Sequence, residues 1–183
     1  MNGKITLDGI SKCFSATGVR VGWGFGPEAI IGKMKSILGH VGAWSPKAEQ
    51  IATAQFLKDT VAVNTYLHAF KMQIQKSLDT LYQGIKQLKS EGFSVDAIEP
   101  MGAIYLTVQL EYAGKTTPDG TVLKTSADIN FYLISEAKIG MVPFSAFGTG
   151  TDVNWFRASV GGCSLADIEE MLPRLKSALQ KLR

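Results

Sequence analysis

The chain has 183 residues, 19 Lys+Arg against 16 Asp+Glu for a net charge of +3, and 45% hydrophobic residues. That apolar share excludes a disordered polymer, and the length allows one ordinary domain or one domain with a piece of another. The basic residues are scattered among acids without a block of like charge, and no run approaches the ~18 apolar residues of a membrane span, so neither nucleic acid nor a membrane is an expected partner.

In chain order, residues 1–4 carry no apolar targeting core, and residues 4–7 and 19–25 read as short strands bracketed by Gly18, Gly22, Gly24, Gly26 and Pro27. Between them, residues 8–18 read as a loop whose Ser11, Lys12, Ser15 and Thr17 are smaller and more polar than packing requires. Pro27 and Glu28 open a helix through Ile30, Ile31, Met34 and Ile37, which Gly39 is expected to close. A second helix from about Lys47 to Lys58 or Asp59 directs Ile51, Ala54, Phe56 and Leu57 toward a core.

Leu67, Phe70, Ile74, Leu78, Leu81, Ile85 and Leu88 then recur at helical spacing. A helix of roughly 25 residues reaches ~37 Å, long enough to bridge two structural units. The expected division is residues 1–62 and 63–183.

Beyond Gly92 the pattern becomes α+β. Residues 93–95 and 103–110 read as strands, Pro118, Asp119 and Gly120 as a turn, and a helix starts at Ser126. Thr125-Ser-Ala-Asp128 and Ser164-Leu-Ala-Asp167 match capping boxes, while Pro173 is expected to kink the last helix, which carries Ile168, Leu172, Leu175, Leu179 and Leu182. Cys13 and Cys163 lack ligand spacing and are expected as buried thiols of a reducing compartment, hence a cytoplasmic protein. His40 and His68 have no partners at metal-ligand spacing, so no metal is expected, and Trp23, Trp44 and Trp155 read as core residues.

The stretch from Asp8 to Trp23 carries the chemistry. A lysine after one strand, in a loop of small residues, with an arginine entering the next strand, presents an amine and a guanidinium to one ligand bearing a carbonyl and an anion. Pyridoxal phosphate has that pairing, an aldehyde for the amine and a phosphate for the guanidinium fork. Lys-plus-Arg spacing alone is more often the pattern of a surface lysine and a structurally paired arginine.

Gly9-Ile-Ser-Lys12, Ser15-Ala, Gly18 and Arg20-Val-Gly22 together resemble, in order and spacing, the cofactor-lysine signature of class I/II aminotransferases, the fold-type I pyridoxal phosphate enzymes. Pro100-Met-Gly-Ala-Ile-Tyr105, the run from Ile139 to Gly148 and Phe156-Arg157-Ala-Ser159 resemble the same family's small-domain motifs. The resemblance implies an α/β fold, the C-terminal part of the pyridoxal phosphate-dependent transferase fold: the end of the large-domain mixed sheet plus an α+β small domain. It also implies Lys12 as the Schiff-base lysine of an internal aldimine, Arg20 as the phosphate arginine and Arg157 as the arginine for the substrate α-carboxylate. Gly9 stands where many members have a phosphate-binding serine, for which Ser11 offers a substitute, and Val19 stands where they have a larger residue. Asp8 and Tyr105 read as structural, and Gly148-Thr-Gly150 as a turn.

The implied parent is an aspartate aminotransferase-like transaminase acting on an amino acid and a 2-oxo acid as a homodimer. Family members are about twice this length, so the chain corresponds to a C-terminal half and is expected to be inactive alone. The same motifs also suit a same-fold lyase, or the aminotransferase-like effector domain of a transcription regulator.

Overall fold

The computed structural model describes residues 4–183, so the expectation for residues 1–4 lies almost wholly outside the described residues. The chain divides into two compact units, one ending at Lys71 and one running from Met72 to Arg183.

In the first unit β1 (Thr6–Gly9) pairs antiparallel with β2 (Gly22–Phe25), in a register running from Thr6↔Phe25 to Gly9↔Gly22. Both strands start later than expected. Lys4 and Ile5 lie beyond the last pair, while Val19 belongs to a 3-10 turn (Thr17–Val19) and Arg20 turns the chain with φ 60, so β2 cannot begin before that corner. The expected loop is folded: Ile10–Cys13 form one helical turn, α1, with Phe14 N donating to Ile10 O at 3.2 Å.

Helix α2 (Glu28–Val41) starts after Pro27 as expected but passes through Gly39 and ends at Gly42, which takes φ 70 and donates its amide to Leu38 O at 3.0 Å. A left-handed terminus needs glycine one residue beyond the last turn, and only Gly42 stands there. Gly39 lies inside the helix, where a Cβ would meet only the ring of Trp44 at an ordinary contact distance of 3.4 Å, and Trp44 is a surface residue and not a core one. In α3 (Lys47–Phe56), Ile51, Ala54 and Phe56 are exposed, Leu57 just beyond is half-buried, and only Thr53 is buried. The expected core direction therefore fails in this unit: a two-stranded ribbon offers too little face to cover a helix layer.

Helix α4 (Thr60–Ser90) has 31 residues, longer than its apolar stripe suggested, and the division between units falls inside it. Its first half stacks Tyr66 on Phe14 and Phe70, both with ring centroids 5.7 Å apart. Its second half buries Leu78, Leu81, Ile85 and Leu88 in the second unit.

That unit is built on a four-stranded antiparallel sheet in the order β3-β4-β6-β5: β3 (Val95–Ala97), β4 (Tyr105–Leu110), β5 (Val142–Pro143) and β6 (Trp155–Ser159). Alternation along β4 buries Leu106, Val108 and Leu110, which join Phe156, Ile129 and Leu133 of α5 (Ser126–Ala137), and Leu175 and Leu179 of α6 (Leu165–Gln180) in one core. β4 begins at Tyr105 and not at residue 103 because Ala103 takes φ 61, outside the extended region. β3 begins at Val95 and not at residue 93 because Gly92 at φ 93 ends α4 and Phe93 N reaches back to Leu88 O.

Both capping boxes form, Thr125 with Asp128 and Ser164 with Asp167. Helical backbone continues on both sides of Pro173, which sits at an exposed position of α6. Cys13 and Cys163 are free and exposed, not buried: one ends α1 and the other precedes the cap of α6, and neither position faces a core.

Candidate functional site

In the first unit α1 sets Ser11 and Lys12 at the end of β1, and the chain returns through the Thr17–Val19 turn. Arg20 then takes a left-handed backbone, uncommon for a residue with a side chain. Its Nη1 donates to Thr17 O at 2.9 Å, and Thr17 Oγ1 donates to Ser11 O at 3.1 Å, so one threonine couples the arginine corner to the lysine turn.

The strands close tightly here. A Cβ on Gly9 would lie 3.0 Å from Val21 O and 3.1 Å from Gly22 Cα, and one on Gly22 would lie 3.0 Å from Asp8 O. Paired glycines thus bring the backbones together, leaving a hollow of about 520 Å³ lined by Asp8, Gly9, Ser11, Lys12, Arg20 and Gly22. That volume lies within the usual range of small-molecule sites. Neither Lys12 nor Arg20 joins an ion pair among the described residues.

The structure thus brings together three of the four expected site residues: Lys12, Ser11 and Arg20. Pyridoxal phosphate fits this set in kind: an amine for its aldehyde, a guanidinium and a hydroxyl for its phosphate, and a floor that any side chain at Gly9 would crowd.

Cys13 borders the same hollow, a placement the sequence signalled only by its adjacency to Lys12. Its thiol donates to Gly9 O at 3.2 Å. Desolvation of the sulfur, with the charge of Asp8 second, pushes the thiol up from its ordinary value.

The fourth residue, Arg157, belongs to the second unit. It lies in β6 opposite Thr107 of β4 and Val142 of β5. Its guanidinium carbon is 4.3 Å from the ring centre of Tyr105 and 4.6 Å from that of Phe147. No carboxylate pairs with it among the described residues, and its Nε is enclosed without an acceptor. Tyr105, expected to be merely structural, touches Arg157, and Phe147 was not singled out at all. The register Tyr105↔Ser159 and Thr107↔Arg157 sets Tyr105 diagonally from the arginine, and strand pairing of this kind is invisible to local spacing.

A family model described as aminotransferase class I and II matches residues 2–175. A probable aspartate/prephenate aminotransferase of Rickettsia bellii is 30% identical over 178 residues, covering 97% of this chain and 42% of the relative. An aspartate aminotransferase of Rhizobium meliloti is 29% identical over 182 residues, with 99% and 42% covered. The chain therefore spans less than half the length of these curated relatives.

Among solved structures, an aspartate aminotransferase from Rhizobium meliloti overlays with a TM-score of 0.81 at 29% identity, covering 98% of this chain and 42% of that one. An aromatic aminotransferase from Pyrococcus horikoshii gives 0.81 at 23% identity, covering 96% and 43%, a likeness of fold. The α/β fold is that of the matching part of these enzymes, no helix among the described residues is long and apolar enough to cross a membrane, and the chain belongs to the class I and II aminotransferase family.

Proposed function

We propose that this chain is the C-terminal half of a pyridoxal phosphate-dependent aminotransferase that moves an amino group between an L-amino acid and a 2-oxo acid. The observation that carries the proposal is the convergence of Lys12, Ser11 and Arg20 on one hollow, with Gly9 and Gly22 as its floor. When bound, pyridoxal phosphate supplies an aldehyde carbon with which amines condense and a ring that takes up electron density from the substrate Cα.

Lys12 Nζ would hold this carbon and, as a free amine, would be the base that carries the proton from the substrate Cα. Arg20, fastened to Thr17 O through one nitrogen, keeps its other N–H groups for the phosphate, and the Ser11 hydroxyl supplies a further contact. Arg157 binds the substrate α-carboxylate with its guanidinium fork, supported by the absence of any described carboxylate partner. Turnover is proposed for a protein containing the rest of the relatives' length, assembled as a homodimer. A cytoplasmic setting belongs to the same proposal, supported by the two exposed free thiols.

The test is covalent trapping. The chain is incubated with pyridoxal phosphate, reduced with borohydride and mapped by peptide mass. The expected result is one pyridoxyl label on Lys12, which Arg20→Gln weakens by raising the cofactor concentration needed. Labelling spread over surface lysines, or concentrated on another lysine, would overturn the assignment.

A further inference from the structure

Arg157 Nε carries a proton that no described acceptor takes, at a strand position flanked by β4 and β5. An unpaired enclosed guanidinium donor is unfavourable, and an arginine so placed ordinarily turns outward or finds a carboxylate. Two rings hold it instead. With Cζ 4.3 Å from Tyr105 and 4.6 Å from Phe147, the flat cation has an aromatic neighbour at the short end of the cation–π range twice over, which restricts its tilt.

The two rings are supported differently. Tyr105 is half-buried in the sheet, its neighbours fixed by the β4–β6 ladder. Phe147 is 54% exposed at the end of the 3-10 turn Phe144–Phe147, and its ring meets Phe144 edge-on at 6.1 Å. An exposed aromatic ring has no burial reason to stay over a cation, so its backbone must keep it there. That backbone is fastened at both sides: Ser145 Oγ lies 3.4 Å from the fully buried Ser126 Oγ, and Ser126 N donates to Thr151 O at 3.1 Å. Gly148, at φ 95, makes the bend between these two points.

We infer that Phe147 is a positioning residue: held by the tied turn and working with Tyr105, it keeps the Arg157 guanidinium in one plane, ready to meet a planar carboxylate. The inference rests on the carboxylate role proposed above for Arg157. Phe147 is assigned no contact with a reacting atom. Its contribution is made before the ligand arrives, by removing orientations the arginine would otherwise have to give up on binding.

The experiment uses the full chain labelled with 15N and the Arg157 Nε–H resonance, identified by its loss in Arg157→Lys, with succinate as the carboxylate probe. The expected wild-type signal is displaced by the two rings and shifts saturably with succinate. Phe147→Leu is expected to lose part of the ring displacement and to weaken succinate binding about threefold to tenfold, and Phe147→Tyr to restore both. A Phe147→Leu chain that binds succinate as the wild type does would overturn the positioning role and leave the carboxylate role standing. A wild-type chain whose Arg157 signal ignores succinate would overturn the carboxylate role, and this inference with it.

Discussion

Gly84 lies in the middle of α4, where alanine ordinarily stabilises a helix by ~0.5–1 kcal/mol. Here the sign should reverse. A Cβ on Gly84 would stand 2.6 Å from Leu172 Cδ2 and 3.0 Å from Leu172 Cγ, with Cδ1 nearer still. Unstrained carbon contacts fall at ~3.5–4.0 Å, so Leu172 or the whole of α6 must withdraw by roughly 1 Å. Overpacking of this kind costs ~1–3 kcal/mol, so once the helix gain is subtracted Gly84→Ala is left net destabilising by up to ~2.5 kcal/mol. In a Leu172→Ala background the obstacle is gone, and the same substitution should stabilise by ~0.5–1 kcal/mol. Urea unfolding followed by far-UV circular dichroism on the four chains of the cycle measures the coupling. If Gly84→Ala has the same effect in both backgrounds, the close approach of α4 and α6 is not what that glycine serves.

Three further outcomes are expected. Gly9→Ser should weaken pyridoxal phosphate binding instead of restoring the missing hydroxyl, because its Cβ meets Val21 O at 3.0 Å and must loosen the Ile10 N to Val21 O hydrogen bond of 3.3 Å. Spectrophotometric titration decides this, and tighter binding would show that the ribbon opens freely. Thr125→Ala should destabilise the second unit by ~0.5–2 kcal/mol through loss of the cap on α5, read as a lower urea midpoint, whereas Thr125→Ser should retain most of the stability.

Asp96 accepts from Lys89 first and then from Lys86 and its neighbour's amide, which together hold its carboxyl well below the ordinary value. A carboxyl depressed on folding contributes stability that is complete above its unfolded pKa of ~3.9 and is lost as pH falls below it. Asp96→Asn should therefore flatten the stability profile below about pH 5, and an unchanged slope there would remove the ion pairs from the account.

The parts of the fold legible in the amino-acid order are those decided within a turn or two of the chain. The boxes at Thr125 and Ser164 were readable because a hydroxyl and a carboxylate three residues apart satisfy each other's orphan amides whatever lies beyond. The α4 stripe from Leu78 to Leu88 was readable because one helix face repeats along the sequence itself. The candidate site was legible in the same local sense: Ser11, Lys12 and Arg20 lie within ten consecutive residues, so one strand-turn-strand unit suffices to gather them.

Other features depended on what stood across the fold. Nothing in the spacing of Ile51, Ala54 and Phe56 tells that their apolar side meets no layer within the first unit. Helix α2 offers two glycines near its end, and the choice of Gly42 over Gly39 follows from which amide closes the last turn on Leu38 O.

By itself, then, the sequence determined the family, the caps, the long helix and the lysine-arginine pair, since each is a relation between near neighbours whose chemistry acts at short range. Only the tertiary structure decided that Gly9 and Gly22 line the hollow back to back, that Cys13 borders it, and that Tyr105 and Phe147 flank Arg157. Those contacts join residues up to 52 positions apart, as the separation of Tyr105 from Arg157 shows. Strand register and turn anchoring bring such residues together, and both are settled only when the whole sheet and its covering helices pack.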